Sequence, residues 1–197
     1  MRVAIIGGIG SGKSEVLKIA KEKGFFCLSA DEINANLLVS PSYIAKIASA
    51  FPTVVKDGAV DKKALASIVF SDDEQLETLN AIAHPEIAKV INECAEPLVA
   101  AELPIVLESV IGGFDEILFV STPYRTRIKR LKGRGLDESQ AKARMRAQVK
   151  PSELKKIATY TVDNSGSLDD LRVNAGKIFD EILAKCADSK DKCAKTT

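Results

Sequence analysis

The chain has no tryptophan, a single histidine and only 5 % aromatic residues. A lone imidazole, His84, excludes metal centres built from two or more histidines. The four cysteines, Cys27, Cys94, Cys186 and Cys193, form no C-x-x-C pair. Neither a zinc site nor a disulfide framework is therefore expected; reduced thiols in a cytoplasm are. No run of 18 apolar residues occurs, so no membrane-spanning helix is expected. The amino terminus enters an apolar strand directly, without a signal-peptide pattern. An excess of one charge is missing too. The 28 basic and 27 acidic residues leave a net charge of +1, which argues neither for nor against nucleic acid. What is present is apolar content: 46 % of 197 residues, enough for one α/β core with an insertion.

The rest is organised around Gly7-Gly8-Ile9-Gly10-Ser11-Gly12-Lys13-Ser14, which fits the phosphate-binding pattern G-x-x-x-x-G-K-[ST]. Val3-Ala4-Ile5-Ile6 before it reads as a buried parallel strand. Val16, Leu17, Ile19 and Ala20 after it have helical spacing. Strand, glycine turn and helix are the context the motif requires. The glycines let the backbone wrap an anion, and amides from Gly8 to Glu15 point at phosphates. Lys13 reaches the β- and γ-phosphates, and the Ser14 hydroxyl holds Mg²⁺.

Phe25-Phe26-Cys27-Leu28-Ser29 reads as a second strand, ending at Ala30-Asp31. Parallel strands end on the same edge, so Asp31 is placed beside the phosphates; it reads equally as a helix N-cap. A helical pattern then fills some sixty residues. Pro41 opens one helix, Pro52 and Lys56-Asp57-Gly58 break it, and Asp61 caps another. Ser71-Asp72-Asp73-Glu74 opens a longer helix, which Pro85 either kinks or ends. A block this long between strands reads as a separate lobe. Leu103-Pro104-Ile105-Val106-Leu107 reads as strand three, closing on Glu108 in the form of a metal-associated acid. Ile117 to Val120 is strand four and Tyr160-Thr161-Val162-Asp163 strand five. A final helix is expected over residues 168–187.

Residues 125–156 carry twelve basic side chains and three acidic ones, net +9 in a near-neutral protein. Arg127, Arg130 and Arg134 share one helix face. A solvated basic face is the plain reading of such a run. No aromatic platform interleaves the charges, so nucleic acid is not the expected partner. Beside a P-loop, a mobile arginine clamp over phosphates is more economical.

In this order the motifs resemble one family, the dephospho-coenzyme A kinases, over residues 1–173. Ser29-Ala30-Asp31 stands where the family has Asp-Ala-Asp, and His84-Pro85-Glu86-Ile87 resembles its His-Pro element. Pro104 to Glu108 resembles its Pro-Leu-Leu-Phe-Glu strand; Arg130, Arg134, Gln148 and Asp163-Asn164 resemble its lid and adenine-side residues. The resemblance implies a three-layer P-loop α/β fold with a parallel five-stranded sheet, a helical substrate-binding insertion and a helical lid. The core takes residues 1–31, 102–124 and 157–187, the CoA-binding lobe 32–101, the lid 125–156, and residues 188–197 a disordered tail. It implies transfer of the γ-phosphoryl of ATP to the ribose 3′-hydroxyl of dephospho-CoA, with Mg²⁺. The site it implies has Asp31, Lys13 and Arg134 as catalytic residues, Arg130 and Asn164 with the P-loop on ATP, and Asp31, His84 and Glu108 on the acceptor. A monomer or weak homo-oligomer is expected, with no membrane partner. Asp31 as base or as metal-water ligand stays open. Another small-molecule P-loop kinase and a catalytically weakened ATP-binding relative are the alternatives. Glu15, which replaces a hydroxyl residue of the family, puts a carboxylate near the phosphates and weakens ATP unless a cation compensates.

Overall fold

A computed structural model describes residues 1–69, 71–103, 111–146 and 148–194, with side chains to residue 187. It divides into two units, residues 1–29 with 95–197, and residues 30–94.

The larger unit is built on β1 (Arg2–Ile6), whose last four residues are at most 1 % exposed. Alternation sends Val3 and Ile5 to one sheet face and Ala4 and Ile6 to the other, so both faces are covered. After α1 (Lys13–Glu22) the chain forms β2 (Phe26–Ser29). Then, after the smaller unit, come β5 (Val99–Glu102), β6 (Glu116–Ser121) and β7 (Tyr160–Asp163). The order across the sheet is β2-β5-β1-β6-β7, all parallel. The connections from β1 run first to one side and later to the other, so β1 is the switch point where such sheets bind ligands. The P-loop hangs from its carboxyl end. Helix α6 (Tyr124–Gly133), α7 (Glu138–Arg146) and α8 (Pro151–Ile157) lie between β6 and β7, and α9 (Leu168–Ala194) closes the chain. Helix α9 packs on α1, and Phe179 meets Phe25 with ring centroids 5.3 Å apart.

In the smaller unit, α2 (Ala30–Leu37), α3 (Pro41–Ala50) and α4 (Lys62–Val69) pack on the long α5 (Asp73–Glu93). Tyr43 is buried, and its hydroxyl donates to Asn34 Oδ1 over 3.0 Å. The carboxylate of Asp61 accepts from the amides of Lys63 and Ala64, and that of Asp72 from Glu74 and Gln75, as N-caps do.

Several expectations need correction. Of the strand expected over residues 103–107, all but Leu103 lies outside the described residues; the third strand seen in the sheet is Val99–Glu102, and the Leu103 amide adds one bond, to Ile5 O at 3.0 Å. Its Val-Ala-Ala sequence has weak strand propensity, and tertiary burial between β1 and β2 overrides it. A domain boundary at residue 102 therefore cuts a strand of the core. Residues 104–110, with Glu108, lie outside the described residues. Pro85 sits inside one continuous α5 rather than ending it. Asp57 and Gly58, at φ 50° and 75°, turn a small hairpin, β3 (Val55–Lys56) with β4 (Ala59–Val60), which the helical reading passed over. Where a disordered tail was expected from residue 188, helical backbone continues to Ala194, in a stretch of good helix formers, alanine and lysine.

Candidate active site

Gly10 and Gly12 take φ of 77° and 97°, the left-handed region that side chains disfavour. Gly12 then serves as N-cap of α1, so the helix starts at Lys13 with its free amides towards the loop. The outward carbonyls of the loop are all held. Arg127 Nε donates to Ile9 O at 2.8 Å. Arg130 Nη1 donates to Gly10 O at 3.4 Å and Ser11 O at 3.2 Å. Thr122 Oγ1 and Asn164 Nδ2 also donate to Ser11 O, at 2.8 and 2.7 Å. Fixing the carbonyls outward leaves the amides facing inward, which is the geometry of an anion cradle. One of those amides, Ile9 N–H, donates to Gln148 Oε1 at 2.7 Å.

Lys13 is only 8 % exposed, and its Nζ lies 3.9 Å from Glu102 Oε1. Ser14 Oγ donates to the same carboxylate oxygen over 3.2 Å. The acid beside the P-loop is thus Glu102, at the end of β5. The sequence reading did not single it out; it named Glu108, which lies outside the described residues. Ser14 and Glu102 offer oxygen donors, the chemistry Mg²⁺ takes, and no cluster of three or more His, Cys, Asp or Glu occurs among the described residues.

Glu15 pairs with Lys18 at 2.8 Å, so the extra carboxylate is neutralised locally. Asn164 is buried and accepts at Oδ1 from Arg130 Nη2 over 3.1 Å. Arg130, expected over the phosphates, is instead engaged with loop carbonyls and Asn164. Arg127, read from the sequence as part of a mobile clamp face, is buried against the loop, and burial lowers its pKa. Arg134, the C-cap of α6, is exposed; its amide donates to Leu131 O at 3.0 Å, and its guanidinium makes no hydrogen bond or ion pair among the described residues.

In the smaller unit, Asp31 occupies the first turn of α2 and not its N-cap, because the helix begins at Ala30. An acid there is favoured by the helix dipole. Its carboxylate is exposed and makes no bond among the described residues. His84 is half-buried within α5, and burial lowers its pKa from 6.5. Next to it, the Glu86 carboxylate accepts from Lys46 Nζ, which holds its pKa low.

The profile of the dephospho-CoA kinase family matches residues 1–170. A dephospho-CoA kinase of Frankia casuarinae is 36 % identical over 193 residues, covering 93 % of this chain and 84 % of that one. Among solved structures, TT1252 from Thermus thermophilus superposes with a TM-score of 0.76 at 35 % identity, over 94 % of this chain and 97 % of that one. Dephospho-CoA kinase from Campylobacter jejuni superposes with a TM-score of 0.66 at 29 % identity, over 92 % and 96 %. On a family profile that spans most of its length and relatives of this similarity, the chain belongs to the dephospho-CoA kinase family.

Proposed function

We propose that the protein transfers the γ-phosphoryl group of ATP to the ribose 3′-hydroxyl of dephospho-CoA, the last step of coenzyme A synthesis. The observation that carries this reading is the convergence of Lys13, Ser14 and Glu102 at a preformed P-loop, in a chain of this family. In the transfer, the bond from the γ-phosphorus to the β,γ-bridging oxygen breaks and a bond to the 3′-oxygen forms. The hydroxyl proton leaves to a carboxylate. Lys13 and the loop amides hold the phosphates and stabilise the charge that develops on them. Ser14 and Glu102 would hold Mg²⁺, which supplies charge neutralisation at the β- and γ-phosphates when bound.

The helical unit of residues 30–94 is the natural acceptor lobe, with Asp31 orienting the hydroxyl and His84 among its contacts. Residues 125–156 act as the lid. Arg134, exposed and uncommitted, is the arginine available to close on phosphates, whereas Arg130 and Asn164 support the loop on the nucleotide side. Without a long apolar helix among the described residues, a cytoplasmic enzyme fits this role. The test is ADP release with Mg-ATP and a panel of acceptors. Turnover with dephospho-CoA far above that with other nucleosides and small alcohols is expected. Equal turnover across the panel, or tight ATP binding with none, overturns the assignment.

A further inference from the structure

A pocket of about 170 Å³ lies between the P-loop, the end of β6, α6 and α8. Gly8, Ser11, Thr122, Arg127, Ser152 and Lys155 line it over a floor from β6; Lys13 and Ser14 do not. It is therefore not the phosphate cradle, although it shares two residues of the loop.

Its polar groups are unusual in being unmet. Arg127 is 5 % exposed, yet beyond the Nε bond to Ile9 O its terminal nitrogens find no acceptor among the described residues. Ser11 is 1 % exposed, and its Oγ is buried without a partner among the described residues. The two flank the Gly7-Gly8 backbone: a Cβ at Gly7 would lie 2.7 Å from Ser11 Oγ, and one at Gly8 2.3 Å from Arg127 Nη2. Lys155, at the exposed rim, pairs with no described carboxylate, and no acidic residue lines the pocket. A guanidinium that meets no counter-ion and a buried hydroxyl that meets no partner, among the described residues, are both arrangements an anionic ligand would relieve. A planar fork of donors suits a phosphate or similar oxyanion, which such a volume admits while excluding a nucleoside.

We propose that this pocket binds a single phosphate group, with Arg127 as its principal ligand, Ser11 Oγ as a second donor and Lys155 as the rim cation. The group comes either from free inorganic phosphate or from a substrate. Because Gly8 and Ser11 also shape the nucleotide cradle, occupancy of the pocket and nucleotide affinity are coupled, and the coupling is reciprocal. The acceptor assignment does not depend on it.

The experiment titrates the full chain with inorganic phosphate by calorimetry, free and saturated with ADP, and separately titrates ADP and dephospho-CoA. Phosphate is expected to bind the ADP-saturated protein. Arg127→Gln and Lys155→Gln are each expected to weaken it at least about tenfold, the loss typical of one charge-assisted hydrogen bond. Lys155→Gln is expected to leave ADP affinity unchanged. If ADP instead abolishes phosphate binding while both variants weaken ADP or dephospho-CoA tenfold, the site stands and the substrate is the source. If both variants bind phosphate, ADP and dephospho-CoA as the parent does, the proposal is overturned. Thermal unfolding checks that Arg127→Gln folds; Lys155→Gln decides the matter alone if it does not.

Discussion

Ser14 Oγ and Lys13 Nζ converge on one oxygen of Glu102, at 3.2 and 3.9 Å. A carboxylate between a cation and a hydroxyl holds both in place. Glu102→Gln keeps an acceptor for Ser14 but removes the charge that faces Lys13 and that would face Mg²⁺. Turnover should fall about 100-fold, as for other preorganised charged groups. The Mg²⁺ concentration for half-maximal rate should rise, while ADP binding in chelator persists. Unchanged metal dependence in steady-state kinetics would remove Glu102 from the site.

Gly12 has no room for a side chain. Its φ of 97° is left-handed, and a Cβ would lie 2.2 Å from Asn164 Nδ2, which itself holds Ser11 O. Gly12→Ala should therefore destabilise by about 1–2 kcal/mol from the backbone conformation alone, with a further loss from displacing Asn164. Thermal unfolding should show a midpoint several degrees lower. Gly24→Ala is the control, since its φ of 89° carries the same backbone strain with no atom in the way. Equal losses in the two variants would mean the Asn164 contact adds nothing.

The P-loop was legible because its pattern is local: glycine spacing, the lysine and its hydroxyl neighbour lie in eight consecutive residues. Strands β1, β6 and β7 were legible because their apolar runs are bounded by turn residues. Glu102 was not, because Val-Ala-Ala carries little strand signal and only burial between two neighbouring strands makes it one. The engagement of Arg127 and Arg130 with loop carbonyls was also hidden. Helical spacing put them on one face, but which partner that face meets is decided by residues more than a hundred positions away.

His84 gives a pH signature. Burial lowers its folded pKa below the ordinary 6.5, so the unfolded chain binds more protons at mildly acidic pH. Stability contributed by its neutral form is complete above the unfolded value and declines as pH falls through the window between the two pKa values. His84→Asn, which does not titrate, should flatten the stability profile between about pH 7 and 5, the range in which an imidazole changes charge. Glu86 works at lower pH: the Lys46 bond depresses its folded pKa, so its contribution is present above the unfolded value and is lost as pH falls through the folded one. Chemical denaturation across this range reads the slope directly. An unchanged slope in His84→Asn would mean the imidazole is equally solvated in both states.

The proposed acceptor role turns on Asp31. Its carboxylate follows β2 by two residues, is exposed, and is engaged by no described group. It is therefore available to a ligand. A ribose hydroxyl is a weak nucleophile until its proton is oriented or removed, and an aspartate within reach does both in other phosphoryl transfers. Ser29 leaves Asp31 without the partner acid that the family places two residues earlier. Asp31→Asn is nearly isosteric and keeps a hydrogen-bond acceptor, so it separates orientation from proton removal. If Asp31 takes the proton, kcat should drop by about 100-fold or more, within the range of general-base contributions, with the Kd of ATP unchanged. Near-normal kcat in Asp31→Asn, with Glu102→Gln or Glu108→Gln inactive, would move the essential carboxylate to the sheet side of the site.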